Sequence, residues 1–205
     1  MLWNLFLAFI PIVLAYLLAL GVQRFTIQRK RVPWAAWIPL GLLWFAFLPN
    51  SCYLFTEWRH FLFDPYFVGT RSAGPNADAM IHTARQGLYF LIYSVTGIVS
   101  FALAIRPVHR VLRKAGLRTL WMAPPFFFLV SLGVYLGLVL RLNSWDLFQR
   151  PLHIFSQAAE ALENLRLLKI IFLFAGLLWL LYVIVDIWVD GFLQRIELAK
   201  KAQAA

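Results

Sequence analysis

The stretch Leu167-Leu-Lys-Ile-Ile-Phe-Leu-Phe-Ala-Gly-Leu-Leu-Trp-Leu-Leu-Tyr-Val-Ile-Val-Asp-Ile-Trp188 decides the fold. Its only charged residues are Lys169 near the start and Asp186 in the last turn. A helix with no polar face has no place on the surface of a soluble domain. Crossing a hydrocarbon core takes about 20 mostly apolar residues, and this stretch is that long. Four more segments read the same way, over residues 2–22, 34–48, 87–105 and 123–140. The second is the shortest and closes on Pro49-Asn50. In the fourth, Pro124-Pro125 falls in the first turn, where a missing N–H does no harm. The expected fold is therefore all-α: one transmembrane helix bundle of about five spans, a single domain over residues 1–205.

Composition agrees. The chain is 62% hydrophobic and only 14% charged, with a mean hydropathy of +0.74, whereas soluble domains carry about 25% charged residues. A soluble enzyme and a disordered chain are both out of keeping with these values. The formal charge of +10 would suggest nucleic acid in a soluble protein, but its distribution says otherwise. Twelve of the nineteen Lys and Arg residues follow the first, third and fifth spans, at positions 24–31, 106–118 and 195–201. The two intervening loops, 49–86 and 141–166, hold six of the nine acids. Basic residues near helix ends mark the cytoplasmic side, so the N-terminus is expected outside and the C-terminus in the cytoplasm. The expected surroundings are the lipid bilayer of a bacterial plasma or thylakoid membrane and other membrane-protein subunits, with no nucleic acid. The single cysteine, Cys52, allows no internal disulfide.

Polar residues gather in two places, at the exits of the second and fourth spans. One is Pro49-Asn50-Ser51-Cys52-Tyr53-Leu54-Phe55-Thr56-Glu57-Trp58-Arg59-His60; the other is Arg141-Leu142-Asn143-Ser144-Trp145-Asp146. Both end even-numbered spans, so they share one membrane depth on the outer side. Residues 51–64 read as a short interfacial helix, on which Tyr53, Glu57, His60 and Asp64 share a face. A functional pocket here would use Glu57, His60 and Asp146 for acid–base chemistry. Arg141 would hold an anion, while Asn50, Tyr53, Thr56, Asn143, Ser144 and Trp145 complete a binding surface. For a metal the stretch offers only Glu57, His60 and Asp64. A carboxylate–histidine pair of the diiron kind recurs on facing helices, and Glu-x-x-His occurs once. The same residues also suit a structural role, since Asn, Ser and Asp cap helices and Trp and Tyr favour the interface.

Elsewhere, Gly133-x-x-x-Gly137 would let another helix approach closely. Asp186 should pair with a basic loop residue or reach the inner interface. Ser156 would cap an amphipathic turn, 157–166, leading into the fifth span. No cofactor is named by any motif, and aromatic content alone does not imply a pigment.

Leu48-Pro49-Asn50-Ser51-Cys52-Tyr53-Leu54-Phe55-Thr56-Glu57 and Arg141-Leu142-Asn143-Ser144-Trp145-Asp146 carry a resemblance. The chain resembles a family of bacterial and cyanobacterial polytopic integral membrane proteins that share a domain of unknown function. That family's stretches run Leu-Pro-Asn-x-x-Tyr-x-x-Thr-Asp and Arg-x-Asn-Ser-Trp-Asp. Here Glu57 stands where Asp is usual, and Cys52 where Pro is often found. The resemblance implies a membrane helix bundle and no particular activity.

Size, aromatic bundle and spans nearly free of ionisable groups point to an accessory or binding subunit, or assembly partner, of a larger membrane complex. A solute pathway would place polar residues or broken helices at mid-bilayer. The alternative is an embedded enzyme or transporter acting on a lipid-linked or anionic substrate at the outer face.

Overall fold

A computed structural model describes residues 2–28, 34–57, 61–62, 77–142 and 146–203. All regular structure among them is helical: α1 (Leu2–Ile27), α2 (Trp34–Phe47), α3 (Pro49–Thr56), α4 (Ala77–Lys114), α5 (Thr119–Leu138), α6 (Asp146–Gln149), α7 (Pro151–Glu163) and α8 (Leu165–Gln203). Five segments are long and apolar enough to cross a membrane: Trp3–Phe25, Trp37–Thr56, Ala77–Lys114, Thr119–Leu138 and Leu165–Gln203. The protein is thus a membrane-embedded helix bundle.

The second span does not close on Pro49. The helix ladder is interrupted at Leu48 and resumes as α3, so one apolar segment runs from Trp37 to Thr56. Proline has no N–H to return to the preceding turn. The Leu48 N–H covers the gap, bonding the carbonyls of Trp44 at 3.1 Å and Phe45 at 3.3 Å. Residues 51–56, expected to begin an interfacial helix, are helical and continue the second apolar segment as α3. Asn50, Ser51, Cys52 and Leu54 are all buried.

α4 is the centre of the bundle. Half of its most apolar window is buried, against 22–39% for the other spans. Phe101, Ala102 and Ala104 pack there with Ala15 of α1, Leu48 and Cys52 around the interruption, Phe127 and Val130 of α5, and Leu178 of α8. Lipid is as apolar as leucine, so association within a bilayer rests on close contact and interhelical hydrogen bonds. Both are present. A Cβ on Gly97 would lie 2.7 Å from the Leu54 Cβ and 3.2 Å from the Ser51 carbonyl oxygen, so only glycine lets α3 sit against α4. Across helices, Trp44 Nε1 donates to the Ala104 carbonyl at 2.8 Å, Ser51 Oγ to the Ala8 carbonyl at 3.3 Å, and Ser131 Oγ to the Ile171 carbonyl at 2.8 Å.

Two helices exceed their expected spans. At 1.5 Å per residue α4 is about 57 Å long, and it carries the basic run through Arg106, Arg110 and Arg113 as helix rather than loop. α8 runs on to Gln203, and every residue after Asp190 along it is exposed. Between α6 and α8 lies α7, whose Ile154 and Ala161 are buried while Leu152, Phe155 and Leu162 stay exposed. Ser156 is inside this helix and donates to the His153 carbonyl at 2.8 Å. The cap of α8 is Asn164, whose Oδ1 accepts from the N–H groups of Arg166 at 3.1 Å and Leu167 at 3.3 Å. Asn is a favoured capping residue, and it stands directly before the helix, where Ser156 does not.

Candidate functional site

α3 brings most of the first polar stretch into the bundle. Asn50 Nδ2 donates to the Phe47 carbonyl at 3.0 Å, close to the helix break. Thr56 Oγ1 donates to the Tyr53 carbonyl at 3.1 Å. Pro49 and Tyr53 both lean on α5. A Cβ on Gly133 would fall 2.8 Å from Pro49 Cγ, and one on Gly137 would fall 1.6 Å from Tyr53 Oη. The paired glycines therefore form a groove into which the break and Tyr53 settle. This contact ties α3 to the last turns of α5, four residues before Arg141.

Glu57 lies just past α3 in a turn. Its Oε1 accepts a hydrogen bond from Asn4 Nδ2, near the start of α1. Beneath this bond Ala8, Leu54 and Tyr93 close a small apolar cluster, and the Tyr93 ring stacks on Tyr89 with centroids 6.0 Å apart. Glu57 is thus held by an amide of α1, not by Arg141.

Arg141 is exposed, and its backbone is in the left-handed region at φ 56°. The next N–H, that of Leu142, returns to the Leu136 carbonyl at 3.2 Å, so Arg141 turns the chain after α5. Asp146 opens α6 and is half-buried, at a helix start where a carboxylate is favoured. Among the described residues, no three His, Cys, Asp or Glu side chains gather as a metal site. His60, Asp64, Asn143, Ser144 and Trp145 lie outside the described residues.

The opposite end of the bundle holds a second polar cluster. Arg106 of α4 is buried and donates its Nε–H to Asp186 of α8 at 2.8 Å. Arg106 also pairs with Asp190, which Arg110 engages as well. Two cations face two carboxylates, so the group is close to neutral. Beside it, the His109 ring bonds the Tyr182 hydroxyl through Nδ1 and the Thr119 hydroxyl through Nε2, the latter at 3.1 Å. Three helices meet in this network: α4, α5 and α8.

Asp186 was expected to pair with a loop arginine, and Arg106 is that arginine, though it stands on a helix. His109 was not foreseen. Positions 106, 109, 110 and 113 are spaced i, i+3, i+4, i+7, and 182, 186 and 190 are spaced by four. Both are single-face patterns on a helix, hidden only while the basic run was read as a loop.

Residues 3–181 match the family described as a protein of unknown function (DUF1361). The match takes in both polar stretches, at residues 49–60 and 141–146, and ends just before Tyr182 and Asp186. No curated protein matches the chain, and neither does any solved structure.

Proposed function

The chain belongs to the DUF1361 family, and from that premise we propose that it acts by binding, as an accessory or assembly subunit of a larger membrane complex. The observation that carries this is a set of hydrogen bonds by which buried and half-buried polar groups tie parts of the bundle together. Asn4 joins Glu57 just past α3, and Ser51 joins Ala8, Trp44 joins Ala104 and Ser131 joins Ile171, the last three each linking one helix to another. A carrier needs polar groups left to receive a solute at mid-depth, whereas these rigidify the bundle. The outer polar stretches are then the surface offered to a partner, with Glu57 and the turn at Arg141 as its described parts. The alternative is an enzyme or transporter handling a lipid-linked or anionic substrate there; the Asn4–Glu57 bond gives Glu57 a structural task whichever holds.

The reading includes an orientation, with the N-terminus outside and the C-terminal end of α8 in the cytoplasm of a bacterial cell or facing the equivalent side of a thylakoid. Purification from native membranes in a mild detergent tests it. Co-purification of other integral membrane proteins in fixed proportion is expected. Recovery of the chain alone, at a monomeric mass, would overturn the subunit reading.

A further inference from the structure

Between α4, α5 and α8, beside the Arg106–Asp186 pair, the bundle leaves a cavity of about 500 Å³. Small-molecule sites have volumes of about 300–1,000 Å³, largely apolar walls and a few placed polar groups. This one fits. Its walls include the aromatic rings of Trp44, Phe126, Phe127, Trp179 and Tyr182, and its polar groups are His109, Arg113, Thr119 and Asp186. Exposed Leu120, Met122 and Ile187 also line it, on helices long and apolar enough to face lipid.

The polar end has a defined hydrogen-bonding sense. Tyr182, His109 and Thr119 form a chain of two bonds, hydroxyl to Nδ1 and Nε2 to hydroxyl. With a neutral imidazole the chain owns three protons, one on each member. Two of them make the two bonds, so one is always left over. With the proton on Nε2, Tyr182 donates to Nδ1, the ring donates to Thr119, and the Thr119 hydroxyl proton remains. With the proton on Nδ1, the Tyr182 hydroxyl proton remains. A charged imidazolium leaves both. Whichever tautomer holds, a hydroxyl donor is presented by a residue that lines the cavity. Arg113 offers only donors, and Asp186 Oδ1 accepts from Arg106, so donors outnumber acceptors around the polar end.

We propose that this cavity binds a membrane-dissolved amphiphile whose polar end presents hydrogen-bond-accepting oxygen and whose apolar body lies among the aromatic rings. A carbonyl-bearing ring, as in a quinone, and the phosphate head of a lipid share this chemistry. The proposal is independent of the subunit reading, since it concerns the other end of the bundle and no protein partner.

The test uses the full chain in maltoside micelles and three probes. They are menadione, which is a fused ring with two carbonyls; 2-methylnaphthalene, which is such a ring without oxygen; and decyl phosphate. Saturable calorimetric binding is expected for at least one oxygen-bearing probe. Menadione should bind several-fold more tightly than 2-methylnaphthalene if the ring is the natural head, and decyl phosphate more tightly than menadione if phosphate is. The double variant Thr119→Val, Tyr182→Phe should weaken the preferred probe by about tenfold, the value of one or two hydrogen bonds. Comparing probes on the unaltered protein decides the matter even if that variant folds poorly. The proposal is overturned if neither oxygen-bearing probe binds saturably, if 2-methylnaphthalene binds as tightly as both, or if the folded double variant binds unchanged.

Discussion

Arg106 and Asp186, eighty positions apart in sequence, meet at 2.8 Å between α4 and α8, with side chains only 8% and 19% exposed. Removing one member of a buried pair strands the other charge, at a cost of about 3–5 kcal/mol. Arg106→Leu alone should therefore lower the midpoint of detergent-driven unfolding sharply. Arg106→Leu combined with Asp186→Leu and Asp190→Leu should recover much of the loss. If the single variant unfolds like the parent, the pair contributes nothing to stability.

The Asn4–Glu57 bond ties the first turn of α1 to the end of α3. Asn4→Ala removes the donor and should cost about 1 kcal/mol. Glu57→Gln keeps an accepting oxygen and should leave stability within about 0.5 kcal/mol of the parent. On the subunit reading, Glu57→Gln and Asp146→Asn also keep full function in a complementation assay. Loss of function at normal protein levels would favour catalysis or transport instead.

At Gly97 any side chain meets Leu54 and the Ser51 carbonyl. Gly97→Val should separate α3 from α4 and destabilise by at least the 1–3 kcal/mol typical of overpacking. Gly176 has open space around its would-be Cβ, so Gly176→Ala is the control and should be tolerated. Equal unfolding midpoints for the two would rule out the close contact.

Arg141 occupies left-handed backbone at φ 56°, a conformation that costs a side-chain-bearing residue about 1 kcal/mol. Arg141→Gly should stabilise the chain by about that amount if the residue serves only the turn. If its guanidinium binds a partner or an anion, the same change should lower complex recovery while the protein stays folded. Unfolding and co-purification, measured together, separate these outcomes.

Orientation has a direct assay. Cys52 is the only cysteine and is fully buried, so introduced thiols can be read against a quiet background. A membrane-impermeant maleimide applied to intact cells or spheroplasts should label Glu160→Cys and spare Lys200→Cys. The reverse pattern would invert the topology.

The five spans were legible because length and hydropathy alone set them, as the run from Leu167 to Trp188 shows. The fate of Pro49 was not. A proline ends a helix or bends it according to what packs on either side. Here Ala8, Gly97 and Gly133, all distant in sequence, receive the continuation. Arg106 and His109 were obscured by composition, since a basic run looks like a loop until its spacing along one helix face is noticed. The partner of Glu57 could not be read locally at all, because Asn4 stands 53 positions away. The Gly133–Gly137 spacing correctly announced close approach, and it named no partner.

α8 has a mechanical consequence. Its last thirteen residues, 191–203, continue the helix past Asp190, which is pinned to Arg106 and Arg110. At 1.5 Å per residue they make a helical extension about 20 Å long, rooted at Gly191 beside that anchorage. A partner that held this extension would be joined to the aromatic cavity through α8, on which Tyr182 and Asp186 stand.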